Sequence, residues 1–480
     1  KKIENIIINK NSRLLDAIKK INSNTFGICF VVDKNKKIIG SISDGDIRKK
    51  ILRGVKMNIP VVKVMNKKVK SAHYLSNSEN IFKLLNNKIK IIPLVNDKKI
   101  IIDFVSFHSA DKISLIKPDL KGNELKYLTR CINTGWVSSQ GEYINKFENK
   151  FSKFTKLKNA LAVSNGTVAL QLAISTFNIG HGDEVIVPDL TFASPVNAII
   201  HAGAKPVLVD VKKNTFCMDE NKIENAITKK TKAIIVVHLY GHPAEMSKIL
   251  KICKKRKIII IEDCAEALGS KYKNKHVGSF GDAATFSFFG NKTITTGEGG
   301  IVCFKSKKFK EKANILRDHG MSKKTKYWHL KIGYNFRMTN LQAAVGTAQF
   351  ERATMFLRKK FFIVKNYKKY LQNEKDLIIP KNYGPVRNSY WLYTLTLKGK
   401  LKLDRDKIIN YLWRHGIESR KVFYPISKMP IYKAYVKKNN IINSQKLHES
   451  SLSLPSSGIN LKQIKNICFL VKRYIENKVN

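Results

Sequence analysis

The sequence predicts an α/β architecture, with a smaller α+β region after it and a duplicated module before it. Three observations carry this. From Ile113 onward, short apolar runs of strand character alternate with helical patterns, the rhythm of a sheet covered by helices. From about Leu357 a lysine-rich helical stretch leads into a region combining "SYWLYTLTL" with "KIINYLWRHGI". Before Ile113 one pattern of helix, strand, turn and strand occurs twice, and repetition on that scale means a unit packing against its twin.

The first copy, residues 1–58, runs from a helical "RLLDAIKKI" through a buried strand "GICFVVD" and the turn "KNKK". A second strand "IIGSIS" and a helix opening at "DGDIRKKIL" complete it. Residues 59–112 repeat the order as "NSENIFKLLNN", "KIIPLVN" and "DKKIIIDFVSF". This arrangement resembles a tandem CBS pair (a Bateman module), a family whose members often bind adenosine nucleotides between their halves. The resemblance implies a nucleotide contact at Ser43, Asp44 and Asp46 of "GSISDGDIR", where hydroxyl and carboxylate would meet a ribose. A plain helix start explains the same residues, with Asp44 as N-cap and an acidic first turn complementing the dipole. The second copy has no SxxD in "IIDFVSFHS", so at most one nucleotide site is intact.

Length and composition narrow the function classes. The 480 residues allow two or three substantial cores, with 43% apolar and 26% charged residues, ordinary values for a globular protein. The net charge of +53 is not ordinary. Basic residues are spread over the whole length, mostly as Lys, alongside abundant Ile and Asn. A/T-rich codons account for all three, and no helix-turn-helix, zinc-finger spacing or RNA-binding aromatic motif accompanies them. Nucleic-acid binding is therefore not expected, although a positive field speeds capture of small anionic substrates. Seven scattered cysteines without CxxC spacing indicate neither a disulfide framework nor a metal site. The opening "KKIENIIINKNSR" lacks a long apolar core and a cleavage site, and its missing Met is read as trimming. No apolar run reaches the ~18 residues of a membrane span, so a cytoplasmic protein without membrane insertion is expected.

The chemistry is concentrated at strand ends between residues 113 and 356. Strands are expected at "NALAVS", "DEVIVP", "KPVLVDV", "TKAIIVVHL" and "KIIIIED", with helices at "TVALQLAISTF" and "SPVNAIIHAG". Ligands of open α/β sheets sit at strand carboxyl ends. The stretch "LAVSNGTVALQLA" places Gly166 and Thr167 at a helix N-terminus, a setting suited to a phosphate, although Asn165 or Thr167 could simply cap the helix. In "VIVPDLTFASPVNAI", Phe192 follows a strand and could lie against a planar ligand or belong to the core.

"KIIIIEDCAEALGSKY" delivers Glu262 and Asp263 at the rim of a buried strand. A carboxylate there stabilises a protonated ring nitrogen and is stabilised by it; Glu266, on the same helical face, is in reach of the same ligand. Lys292, in "SFFGNKTITTGEGG", sits in an apolar, glycine-rich setting after a strand. A lysine amine in such a pocket attacks carbonyls and forms Schiff bases. Ser287, five residues earlier, offers a hydroxyl to a phosphate. Each piece alone reads as a cap, a core aromatic or a turn. Their order fits pyridoxal 5'-phosphate: phosphate cradle, stacked face, pyridinium partner and Schiff-base lysine.

These residues resemble the sugar-nucleotide aminotransferases of the DegT/DnrJ/EryC1/StrS family, over about Ile113 to the C-terminus. The similarity is strongest in "GWVSSQGEYINKFE", "VSNGTVALQLA", "VHLYGHPAEM", "EDCAEALGS", "FSFFGNKTITTGEGG" and "GYNFRMTNLQAAVG". It implies the fold of type I pyridoxal-phosphate transferases: a large domain with a mixed sheet (113–356) and a small α+β domain (357–480). It also implies that Lys292 is the Schiff-base lysine and proton carrier, and that Asp263 pairs with the pyridine nitrogen. Glu266 would lie near the ring hydroxyl and Phe192 would stack, while Gly166, Thr167 and Ser287 hold the phosphate. Asn335 and Arg337 would complete the site of a partner subunit, so a homodimer is implied. Trp136, His319, Arg420 and Tyr424 are candidate substrate contacts.

Relatives that remove a hydroxyl as dehydratases carry His in place of the lysine, so Lys292 favours transamination. The implied cycle takes the amine of L-glutamate and gives it to a nucleotide-linked keto-sugar for surface polysaccharide or O-antigen synthesis. Members acting on a GDP-linked 4-keto-6-deoxy sugar are the most similar; a 3-keto position, or a UDP- or dTDP-linked sugar, is the alternative. The family's "TRPxFYPxH" stretch is here "SRKVFYPISKMP", with Lys421 for Pro and Ser427 for His, which leaves sugar identity open. A surface ion pair would explain Arg420 equally well. A nucleotide-sensing regulator is the competing class, but such a module has no need of a Schiff-base lysine.

Overall fold

A computed structural model of the chain describes residues 3–24, 26–74, 76, 81, 84–85, 89–106, 113–436 and 441–479. The chain divides into two compact units: Lys1–Lys112 with Asn410–Ile417, and Ile113–Ile409 with Glu418–Asn480.

The N-terminal unit shows the duplication as topology. Strands β1 (Ile7–Asn9), β2 (Ile28–Val32) and β3 (Ile38–Ser43) form one sheet, in which β1 is parallel to β2 and β2 antiparallel to β3. Strands β4 (Ala72–His73), β5 (Ile91–Val95) and β6 (Ile101–Ser106) form a second sheet with the same pattern. Phe30 and Val32 of the first sheet share a core with Ile91, Val95 and Phe104 of the second, because each sheet has one apolar face to bury. Helix α1 (Leu14–Asn24) precedes β2, and α2 (Asp44–Ile51) follows β3. The expected helix "NSENIFKLLNN" lies largely outside the described residues.

At the start of α2, Ser43 rather than Asp44 is the N-cap. Its hydroxyl accepts from the Asp46 N–H, and the Asp46 carboxylate accepts from both the backbone N–H and the hydroxyl of Ser43. That reciprocal capping box engages two of the three residues expected at a ribose. Asp44 begins the helix and is exposed.

In the larger unit, seven strands make one sheet: β7 (Ala160–Val163), β8 (Glu184–Pro188), β9 (Lys205–Val209), β10 (Thr231–Val237), β11 (Ile259–Asp263), β12 (Ala283–Ser287) and β13 (Gly300–Phe304). Their order is β7-β13-β12-β11-β10-β8-β9. Only β13 runs against its neighbours, β12 and β7, so the sheet is mixed as expected. Nearly every strand residue is buried; Val- and Ile-rich runs covered on both faces read as continuous rather than alternating. Helix α3 (Gly166–Thr176) follows β7 and buries Leu170, Leu172, Ala173 and Ile174.

Helix α4 (Ala353–Leu371) leads into a second sheet of the same unit, made of β14 (Leu377–Ile378), β15 (Tyr393–Leu397), β16 (Arg420–Lys421) and β17 (Ser451–Leu454), in the order β14-β15-β17-β16. Two buried carboxylates tie this region to the large sheet. Asp210, just past β9, accepts from the backbone N–H groups of Ile442, Asn443 and Ser444. Burial opposes its charge, but these donors prevail and hold it down at about 2. Asp189, just past β8, accepts from the N–H and hydroxyl of Ser427; burial pushes its carboxyl upward. Ser427 therefore has a structural partner at the position where the family's His was expected. Among the described residues no helix is long and apolar enough to cross a membrane.

Candidate active site

A cavity of about 540 Å3 opens where the parallel strands end, and Lys292 lies in it. The loop after β12 is closed on itself: Phe288 N–H donates to Gly299 O, and Thr296 N–H donates to Phe288 O. Gly297 turns it with φ of 83°, a backbone state that costs glycine little. At the loop's tip Lys292 is largely covered. Its Nζ lies 3.7 Å from Glu266 Oε1 and 4.1 Å from the centre of the Trp391 ring.

Asp263 ends β11 at the floor of the cavity. Among the described residues one hydrogen bond reaches its carboxylate, from the Ala265 N–H. Burial raises its pKa, opposed by the Ala265 N–H and the Lys292 charge. A buried carboxylate with a single donor lacks a cation, and a protonated ring nitrogen has that chemistry. Beside it in the sheet, the buried hydroxyl of Thr285 has no partner among the described residues, and neither has the side-chain oxygen of Asn291 next to Lys292. Both residues line the cavity, and unpaired buried polar atoms at a pocket wall call for a ligand or water.

The expected helical placement of Glu266 is corrected: it stands in turns that follow β11, not on a helix. Its Oε2 accepts from the Tyr240 N–H at 2.8 Å. Burial pushes its carboxyl up to about 7, against the pull of Lys292. Neighbouring Glu262 faces away from the site. It accepts from His238 Nε2 and from the N–H groups of Gly278, Phe280 and Gly281, while His238 Nδ1 accepts from Ala244 N–H. His238, Glu262 and Cys264 form the one metal-like cluster among the described residues. The carboxylate and imidazole lone pairs in it are already committed to these protein donors.

At the opposite end the cavity reaches the N-terminus of α3. Asn165 is the N-cap and accepts from the Val168 N–H, so Thr167 is left for other work. The Thr167 hydroxyl lies 2.8 Å from Ser194 Oγ. A Cβ on Gly166 would sit 2.8 Å from the Ser287 Cβ, so only glycine lets the helix start approach Ser287. Free N–H groups and hydroxyls here make an anion cradle.

Phe192 is 59% exposed at the mouth, its ring centre 5.7 Å from Phe423. Behind it Phe423, Tyr240 and Trp391 form a stack, with near-parallel rings at 5.7 and 6.2 Å. Arg420 lines the cavity and also pairs with Glu418 at 3.3 Å.

The remaining expected residues stand elsewhere within one chain. Trp136 is exposed beside a separate hollow that includes Asn340. His319 and Asn335 are exposed, and Arg337 pairs with Asp318 at 3.0 Å. Tyr424 packs on His448 and accepts from Lys421. None of these five is among the residues lining the cavity. Sequence reading missed Trp391, Phe423, Tyr240 and Thr285. Tyr240 in "HLYG" and Trp391 in "SYWLY" carried an aromatic signal, but nothing local marked Trp391 as a cavity wall or Tyr240 as the ring stacked behind it.

Comparison with known proteins agrees with this geometry. Residues 118–472 match the model of the DegT/DnrJ/EryC1/StrS aminotransferase family, and residues 3–53 match the CBS domain. The chain is 44% identical over 368 residues to GDP-perosamine synthase of Escherichia coli O157:H7, covering 76% of this chain and 99% of that protein. The solved structure of Helicobacter pylori PseC, an aminotransferase involved in the biosynthesis of pseudoaminic acid, is 27% identical with a TM-score of 0.73, covering 76% of this chain and all of that one. Spr1654 of Streptococcus pneumoniae, assigned as a sugar aminotransferase and solved in its PLP form, is 28% identical with a TM-score of 0.72, covering 75% and 98%.

Proposed function

The chain belongs to the DegT/DnrJ/EryC1/StrS aminotransferase family and is a pyridoxal-phosphate-dependent sugar-nucleotide aminotransferase; from that premise we propose the substrates and the residues that serve them. The donor is L-glutamate, and the acceptor is a GDP-linked 4-keto-6-deoxy sugar destined for surface polysaccharide. The 44% identity to GDP-perosamine synthase supports the acceptor. The observation that carries the residue assignment is the lone lysine amine held 3.7 Å from Glu266, in the cavity floored by Asp263.

The cavity suits the cofactor's chemistry, with an under-paired buried carboxylate on one side and a helix N-terminus with hydroxyls at the end. Bound there, pyridoxal phosphate supplies a carbonyl that exchanges amines and a ring that takes up electrons. The Gly166 and Thr167 N–H groups and the Thr167 and Ser287 hydroxyls would hold the phosphate. Asp263 would keep the ring nitrogen protonated, and Phe192 would cover one ring face. Lys292 moves a proton at its Nζ, with Glu266 beside it as acceptor or donor. Arg420 stands where it can meet a substrate carboxylate or phosphate. In this assignment residues 113–356 hold the cofactor and 357–480 supply the outer wall.

A homodimer completes the site by bringing Asn335 and Arg337 of a second copy to it. The absence of these residues from their own chain's cavity supports this, as do the exposed Tyr327, Trp328, Leu330 and Ile332 just before them. The reaction is placed in the cytoplasm, in keeping with seven free, buried cysteines. An adenine nucleotide at Ser43, Asp44 and Asp46 would have to displace the Ser43–Asp46 capping box. Calorimetry with ATP and AMP tests that regulation, and absence of heat reduces the unit to a structural role.

The enzymatic assignment is tested by borohydride reduction of the cofactor-loaded chain and peptide mass mapping. A pyridoxyl group on Lys292 is expected, and its absence there refutes the assignment. Mass-spectrometric assay with glutamate against GDP-, UDP- and dTDP-linked 3- and 4-keto sugars identifies the acceptor. Preference for a nucleotide other than GDP, or for the 3-keto position, refutes the acceptor proposal.

A further inference from the structure

Trp391 is placed with unusual care. Its indole N–H donates to Asn291 O at 2.9 Å, the carbonyl directly before Lys292. One ring face lies 4.1 Å from Lys292 Nζ, and the ring is nearly parallel to that of Tyr240, at 5°. The residues on either side of the contact are strained. Tyr390 has φ of 51° and Tyr240 has φ of 52°, the left-handed state that a bulky side chain adopts only where its surroundings enforce it.

The carbonyls of Tyr390 and Trp391 are both held by Lys360 of α4. This lysine is 5% exposed, and its Nζ donates to Trp391 O at 2.9 Å, Ser456 O at 3.4 Å and Tyr390 O at 3.5 Å. Burial alone accounts for its depressed pKa of about 7. An ammonium buried among carbonyls, with no counter-charge among the described residues, is a poor way to gain stability. It does fix where the Tyr390–Trp391 backbone lies.

We infer that Trp391 is a further catalytic residue, whose ring face holds the Lys292 amine whenever that amine is free, and that Lys360 is the positioning residue that keeps the ring there. The amine of Lys292 would be displaced in the first half of the cycle and would return only at the end of the second. Between Glu266 and an indole face it stays at one place when detached, because a cation is attracted to the face of an aromatic ring and a held amine returns without a search. This inference rests on the assignment of Lys292 made above.

The test uses the full chain freed of cofactor, with acetic anhydride as an amine-modifying probe and the labelling rate of Lys292 read from its peptide by mass spectrometry. Trp391→Leu removes both the cover and the attraction, so labelling is expected to speed up about tenfold. Trp391→Phe keeps a ring face and stays within about threefold of wild type. Lys360→Met, which leaves the ring present but untethered, falls between the two. Trp391→Met replaces the Leu variant if that does not fold. In the loaded enzyme, kcat is expected to fall in the Leu variant while KM for glutamate changes less than about twofold. Equal labelling of wild type and the Leu or Met variant overturns the inference. So does equal acceleration in the Phe and Leu variants, since the ring face would then be irrelevant. Wild-type labelling in Lys360→Met overturns the positioning role. The borohydride result keeps the two claims apart: a pyridoxyl-Lys292 with unchanged labelling sinks only this inference, whereas no pyridoxyl-Lys292 sinks the assignment beneath it.

Discussion

Replacing Lys360 by Met has an unusual expected sign: the protein becomes more stable at low pH. Lys360 is held near 7 in the folded chain against an ordinary 10.5, which corresponds to about 5 kcal/mol at ~1.4 kcal/mol per pH unit. Below pH 7 the folded protein carries that full cost of burying an ammonium. Between about 7 and 10.5 the unfolded chain binds the extra proton, so wild-type stability rises with pH through this window. Methionine has no such charge, but leaves the carbonyl of Trp391 without its 2.9 Å donor, at a cost of ~1–3 kcal/mol. The Met variant should therefore be more stable by about 2–4 kcal/mol at pH 6, and about 3 kcal/mol of that margin should be gone by pH 9.

The assay is urea denaturation of both full-length proteins at pH 6, 7, 8 and 9, comparing midpoints and slopes at each pH. Buried tyrosines and cysteines titrate in both proteins, so their contributions cancel in the difference. A difference that stays flat across this range would show that Lys360 does not lose its proton near neutrality, and the reasoning from its burial would fail.

Three other outcomes follow from the same geometry. Asp263→Asn should stabilise the cofactor-free chain at neutral pH, because burial raises the Asp263 pKa and the wild type loses stability as pH climbs above 3.8; thermal melts read this, while turnover should drop by about 100-fold or more as the ring nitrogen loses its partner. Glu266→Gln should gain stability over wild type as pH rises from 4.5 to about 7 and then level off, since the raised carboxyl pays for its charge only in the wild type; melts at pH 5, 6, 7 and 8 check the sign. Gly166→Ala should weaken pyridoxal phosphate binding by about tenfold or more in a fluorescence titration, because its Cβ meets the Ser287 Cβ at 2.8 Å and pushes the helix start from the hydroxyl; alanine's good helix propensity keeps α3 itself intact.

Much of the fold was legible because it is written in local pattern. Runs such as "KIIIIED" and "TKAIIVV" are short and β-branched, which favours strands buried on both faces, and the structure places them at β11 and β10. The residues proposed to hold the cofactor were found for a related reason: each follows a strand or opens a helix within a few positions, so sequence order gives their place in the fold. Where local pattern is ambiguous the reading slipped. Glu266 three residues after Asp263 suggested a helical face, yet tight turns carry it. "SDGD" suggested Asp44 as the cap, yet Ser43 takes that role because its hydroxyl reaches the third residue's N–H.

The sequence alone determined the two kinds of module, the strand-end chemistry around Lys292 and Asp263, and the family. The walls were decided by tertiary structure. Trp391 meets Lys292 across 99 positions, and Ser427 meets Asp189 across 238. A lysine on a basic helix turns out to be a buried clamp on the backbone of Trp391. Local periodicity reports which face of an element is apolar, whereas a contact between distant segments depends on how those faces pack, and a single tryptophan or lysine in a row of similar residues carries no mark of where that packing will put it.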